Sequence, residues 1–380
     1  MAATRRRRGR RPAAPRTASA PLLLAAAVAL PGVLPATAAA QGAPDKGIIS
    51  FAYDNYRDWQ PGAKRMTVES PTLFFLLPLS DSLAIQASIV YDAVTGASPF
   101  FHNTLSGASI GDYRTGGDFR ITKWFDRWAV GAGVAYSSEQ DYISRALSVD
   151  VRYSTPDNNR TYAFGIGHVH DDINSINNVA LGQHRRTFEF MAGVTQVLNP
   201  DAIIQTNLTY STGHGYYSDP YKSLDTRPNN RRTLAWLTRY NQAFPGRDSV
   251  LQLTYRLLFD SYGDHSNMLE AAWVQGLPER WTITPNVRYL TQHAADFYFD
   301  PPFPIGFIEG HNYTADMRLS SFGAVTVGLT VSKGFDDGWT TFAKYQFYRQ
   351  RPAWYLGGSG SPGLLDFSAR WFEIGFSKTF

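Results

Sequence analysis

The densest run of metal-ligating side chains is His168-Val169-His170-Asp171-Asp172. Two imidazoles and a carboxylate form a donor set that a divalent transition metal accepts. On an extended chain His168, His170 and Asp172 share one face and Asp171 takes the other. The competing reading is structural. His168 stands nine residues after Asn159, on the face of Tyr162, Phe164 and Ile166, where a polar aromatic suits a membrane boundary. The structural reading outweighs the metal, so no metal and no cofactor is expected, with His168, His170 and Asp172 as the only candidates.

A second set is spread along the chain. Asp118, Arg120, Asp150, Arg152, Glu189, Arg239, Arg256, Glu270, Arg288, Lys344 and Glu373 each alternate with apolar neighbours. Facing a wide interior, such charges would line an aqueous passage and orient a polar solute. Paired across strands, they would only stiffen the wall. Both signs are represented, so strong ion selectivity is not expected. Asp141, His214, Asp219, Asp264, His265, His293, Asp296 and Asp300 lie in polar segments, as solvated loop groups or ligands for divalent ions bridging lipopolysaccharide. The chain carries no G-x-S-x-G elbow and no phosphate-binding loop. No catalytic residue is therefore assigned, and the protein is not expected to be an enzyme.

The elements that position these residues are strands. Leu147, Val149, Val151 and Tyr153 alternate with Ser148, Asp150 and Arg152; Ile283, Val287 and Tyr289 alternate with Thr282, Thr284, Asn286 and Arg288. Period two with one apolar face is the strand signature. Seven short, turn-like connections punctuate the pattern, at Asp81-Ser82, Asp126-Arg127, 156–159, 199–201, 245–248, 278–280 and 336–338. Longer segments rich in Gly, Pro, Asp, His and Tyr lie between them, among them 95–117, 212–230, 294–312 and 352–365. Seven turns with two free ends give eight hairpins, hence sixteen strands, with both termini on the short-turn side.

Roughly nine or ten residues after most short turns comes a tyrosine: Tyr91, Tyr136, Tyr210, Tyr255, Tyr289 and Tyr345. Nine residues rising ~3.3 Å each at a tilt of about 35–45° climb roughly 21–24 Å, close to the ~25 Å apolar band of a membrane barrel with its aromatic girdles. A soluble sandwich needs no tyrosine at fixed height. The expected fold is therefore all-β: a transmembrane, antiparallel, up-and-down β-barrel of sixteen strands whose C-terminal strand ends in Phe. In that last strand Phe372, Ile374, Phe376 and Phe380 form a lipid-facing row and an assembly signal.

Residues 1–40 read as a removable leader, with arginines from Arg5 to Arg16, an apolar stretch from Pro21 and small residues up to Ala40. Residues 41–380 are then one barrel domain. The formal charge of +4 includes seven arginines of the leader, so the remainder carries about −3 and no nucleic-acid partner is implied. With no cysteine there is no disulfide, no lipid-modified N-terminus and no covalently attached haem.

Several stretches resemble a bacterial family, the domain of unknown function 3570: Tyr91 to Pro99, Tyr136 to Asp150, Gly193 to Asp201, Gly215 to Lys222, Arg288 to Asp300 and Arg318 to Ser332. The resemblance spans nearly all of the chain after the leader. It implies an outer-membrane β-barrel and supplies no activity and no functional residues. The expected function is a pore or channel of the cell outer membrane for small polar solutes. The rival is a barrel that serves as a sleeve or platform for a small periplasmic or surface partner, in electron transfer or envelope assembly. Outer-membrane lipid, lipopolysaccharide and the outer-membrane assembly machinery are the expected partners.

Overall fold

The structure, a computed structural model, describes residues 42–97, 109–222, 225–300 and 311–380. The expected leader lies outside the described residues.

Sixteen strands follow one another in chain order: β1 (Ile48–Gln60), β2 (Ala63–Ser80), β3 (Leu83–Ala97), β4 (Ser109–Trp124), β5 (Trp128–Ser138), β6 (Tyr142–Ser154), β7 (Arg160–Ile173), β8 (Gln183–Asn199), β9 (Ala202–Gly215), β10 (Asn230–Phe244), β11 (Ser249–Asp260), β12 (His265–Leu277), β13 (Trp281–Gln292), β14 (Phe322–Gly334), β15 (Trp339–Arg351) and β16 (Phe367–Thr379). Each pairs antiparallel with its neighbours, and β1 pairs with β16 to close the barrel. Closure leaves no ladder edge, which hydrocarbon would not tolerate, because each unpaired backbone group there costs several kcal/mol. At the seam Phe51 lies opposite Phe376, Tyr53 opposite Ile374 and Asp54 opposite Glu373. Beyond it, Gly47 and Phe380 exchange both backbone hydrogen bonds, at 2.9 and 3.0 Å.

Alternation sorts the side chains into two sets. One face carries a continuous field of exposed apolar residues, among them Ile89, Phe119, Leu147, Phe190, Leu208, Trp236, Leu269, Val327 and Phe372. This is the outer face. Of the girdle tyrosines, Tyr91, Tyr136, Tyr210 and Tyr345 stand exposed on it. Tyr255 is half-covered by an edge contact with Trp236, and Tyr289 donates to the carbonyl of Trp354. Trp124 turns inward, beneath the guanidinium of Arg152 at 5.9 Å.

All seven short connections fall where Asp, Asn, Pro and Gly cluster. Asn158, Asp248, Glu279 and Asp337 turn the chain there with positive φ, a conformation that suits short polar side chains best. At the other end of the barrel the connections vary widely in length. Residues 61–62 alone link β1 to β2, with Gly62 at φ +77°, and residues 139–141 link β5 to β6. Within the span 95–117, residues 95–97 and 109–117 are strand, since the β3–β4 ladder continues to Ala97 and Ser109. Gly111, Gly116 and Gly117 are poor strand formers alone; pairing with β3 overrides that preference.

Candidate functional site

All eleven charged residues named from the sequence stand on the face opposite the exposed apolar rows, that is, inside the barrel. On one side Arg120 of β4 reaches Asp150 of β6 across the intervening strand β5. The register sets Gly133 beside Arg120 and Gly131 beside Asp150. A Cβ on Gly131 would run into both the guanidinium and the carboxylate, so glycine here leaves room for the pair. Arg152 Nε lies 3.8 Å from Asp150 Oδ2. Asp118 accepts a hydrogen bond from the Ser88 hydroxyl. Elsewhere Arg288 Nε is 2.6 Å from Glu270 Oε2, and Lys344 Nζ is 3.2 Å from Glu373 Oε2. Asp54 joins the second pair as the next residue in its row.

Glu189, Arg239 and Arg256 are different. Among the described residues none has a hydrogen-bond or ion-pair partner. An ion left unpaired in a dry interior costs several kcal/mol. Three such groups on one inner wall require water, and a sixteen-stranded barrel is wide enough to hold it.

The end of this interior opposite the short turns is roofed by connections that fold inward. Met317, from the link between β13 and β14, and Leu364, from the link between β15 and β16, are buried against Phe322, Ala324, Phe367 and Ala369, with Tyr56, Tyr348 and Trp371 packed beside them. On the facing arc Tyr217 lies 5.1 Å from the Arg185 guanidinium and Tyr262 lies 4.9 Å from that of Arg231. Phe297 closes on Tyr262 at 5.0 Å.

An ion network joins the described parts of two of these connections, the one between β9 and β10 and the one between β13 and β14. Asp316 is fully buried; Lys222 Nζ and Arg227 Nη2 reach it at 2.7 and 2.8 Å, and Arg318 also binds it. Asp219 takes Arg318 at 3.1 Å, and Asp225 takes Arg227 at 2.8 Å. Three cations meet three carboxylates. Burial alone would push the Asp316 carboxyl up; Arg318, Lys222 and Arg227 outweigh it and hold it well below the usual carboxylate range. Backbone bridges between Thr226 and Tyr313 and between Tyr298 and Thr314 knit the same segments. Of the six network residues the sequence singled out only Asp219. Asp316 sits 94 positions after Lys222, and no local spacing reports a contact of that range. Asp264, in the link between β11 and β12, is raised to about 7, by burial first and then by Asp260, against the pull of Arg231.

The histidine run is rearranged relative to the expected donor set. His168, His170 and Asp172 do share the outer face of β7, and Asp171 points inward to Arg185, at 2.8 Å. His168, however, packs on Phe188, with ring centroids 4.6 Å apart. Its place beside Asp172 is taken by His184, which lies opposite Asp172 in the β7–β8 ladder. His170 Nε2 and His184 Nδ1 are 3.1 and 2.9 Å from Asp172 Oδ1. The three donor atoms lie within 4.8 Å of one another, the grouping a metal would need. Arg145 binds the other carboxylate oxygen, and its charge opposes a cation at that point.

A closed sixteen-stranded antiparallel barrel with an apolar outside and a charged inside defines a barrel of the outer-membrane type. The chain belongs to the family described as "Protein of unknown function (DUF3570)", whose model matches residues 103–371. The fold is similar to that of a bacterial polysaccharide outer membrane secretin, at 7% identity over 88% of this chain and 98% of that one, with a TM-score of 0.52. It is also similar to CdiB from Acinetobacter baumannii, at 9% identity over 87% of this chain and 60% of that one, with a TM-score of 0.51. At such identities the likeness is one of fold. No curated protein matches the sequence.

Proposed function

We propose that the protein is a pore of the cell outer membrane for small polar solutes, narrowed at its outer end by inward-folded connections, and that it has no catalytic role. The observation that carries this reading is the set of interior charges, Glu189, Arg239 and Arg256, that have no hydrogen-bond or salt-bridge partner among the described residues and that call for a hydrated interior. The aromatic and ionic roof over the arc from β8 round to β1 then limits the size of what enters. Water and opposed charges along the wall favour polar solutes over apolar ones. The test is conductance of the purified, folded protein in planar lipid bilayers. Discrete steps that scale with salt concentration support the pore; folded protein that leaves the bilayer silent speaks for a sleeve or platform instead.

A further inference from the structure

The outer face of β6 to β10 changes character at its loop end. Lower down it is apolar, with Leu147, Phe188, Phe190, Tyr210 and Trp236 exposed. Near the top the register aligns Arg145 with His170, His170 with Arg186, Arg186 with His214 and His214 with Asn230. Five consecutive strands thus present one row of cationic or polar side chains, roughly 19 Å across at ~4.8 Å per strand. Arg232, two positions from Asn230 on the same face, adds a further guanidinium. Arg145, Arg186, His214, Asn230 and Arg232 are all exposed.

Among the described residues the charge of this patch is not balanced. Asp172 is the acid of the patch, and it is engaged by Arg145, His170 and His184. Among the described residues Arg186 and Arg232 have no side-chain partner. Two exposed guanidinium groups at the upper edge of a lipid-facing surface are free to take an external anion. Arginine binds phosphate oxygens through two parallel hydrogen bonds, and clustered basic residues at a membrane boundary select anionic headgroups.

We infer that the row Arg145–His170–Arg186–His214, with Arg232, is a docking surface for the phosphate groups of a glycolipid of the outer leaflet. The inference rests on the outer-membrane reading above. It names a lipid whose acyl chains lie against Leu147, Phe188 and Phe190 while its phosphates meet the arginines. The acyl contact distinguishes it from a site for free phosphate.

The test uses the barrel folded in detergent micelles and two acylated glucosamine disaccharides, one bearing two phosphates and one dephosphorylated. Retention is read by co-elution on size exclusion. The wild type should hold the phosphorylated form roughly ten-fold tighter, and Arg186→Glu with Arg232→Glu should abolish that difference. If the glutamate pair does not give a folded, heat-modifiable barrel, Arg186→Gln with Arg232→Gln serves in its place. Arg186→Lys should keep most of the preference. Equal retention of the two glycolipids by the wild type, or an unchanged preference in the glutamine pair, overturns the inference. Millimolar inorganic phosphate should leave the glycolipid bound; displacement by it would mean a free-anion site and overturn the lipid assignment. The readout needs no conductance, so a silent pore and an absent glycolipid site are separate results.

Discussion

Arg120 and Asp150 meet across an intervening strand, over the bare backbone of Gly131. The pair spans β4 to β6 because β5 offers glycine at the two positions beneath it, Gly131 and Gly133. Gly131→Val should therefore separate the pair without disturbing the outer face. The expected cost is about 1–3 kcal/mol, that of leaving partly hydrated polar groups unsatisfied. Urea unfolding of the refolded barrel measures it. Arg120→Leu with Asp150→Leu should remove most of the penalty of Gly131→Val; if the valine costs as much in that background, the glycine is not there for the pair.

The roof should be separable from the barrel. Asp316→Asn leaves the largely covered Lys222 and Arg227, with Arg318 at their edge, around a neutral group, and removing one member of such a network typically costs about 3–5 kcal/mol. Segments 216–229 and 293–321 should become protease-sensitive while the barrel stays heat-modifiable. Because the folded-state carboxyl is depressed, its contribution is present above the ordinary carboxylate range and is lost only as pH falls well below it. Limited proteolysis at stepped pH checks this; loosening already near pH 5 would contradict it.

Asp264 should act in the opposite sense. Its carboxyl is raised to about 7, so its stabilising effect is full below an unfolded value of about 4 and is lost as pH rises through about 7. Protection of the Tyr262 and Gly263 amides, taken relative to the intrinsic exchange rate at each pH, should fall over that window. Asp264→Asn should flatten the dependence; an equally steep profile in the variant would assign it to another group.

The turns and faces were legible because local chemistry sets them. Pro278-Glu279-Arg280 and Asp336-Asp337-Gly338 announce tight turns, and alternation around Arg152 or Arg288 assigns a face without knowledge of the neighbouring strand. What stayed hidden depends on pairing. His184 comes beside Asp172 only through the β7–β8 register. The glycines of β5 acquire a purpose only when Arg120 and Asp150 flank them. The roof depends on contacts between connections far apart in sequence, and its hydrophobic half, Met317 and Leu364, looks like ordinary loop sequence.

Phe380 should matter for assembly. Its backbone bonds to Gly47 lie just beyond the β1–β16 seam, and its exposed ring continues the row of Phe372, Ile374 and Phe376. Deleting it should reduce the yield of folded barrel in cells, read as the heat-modifiable fraction. Wild-type yield would remove the assembly role.

Orientation is tested by cysteines at exposed sites that keep the backbone unstrained. Val179 and Leu356, 69% and 76% exposed, lie on the side of the roof; Asp126, with its side chain 92% exposed, lies in a short turn. Val179→Cys and Leu356→Cys should label on intact cells and Asp126→Cys should not. The reverse pattern would invert the barrel.

The most direct test of the pore itself is the reversal potential under a salt gradient, for the wild type and for Arg239→Leu with Arg256→Leu. Both arginines face the interior without a salt bridge among the described residues, so their loss should shift the reversal potential toward cation preference while conductance persists. The same measurement on Asp316→Asn covers a roof that closes the entrance, and there conductance should rise. An open pore whose reversal potential ignores both arginines, or silence from folded wild type and Asp316→Asn alike, would contradict a hydrated, charge-lined path through the barrel.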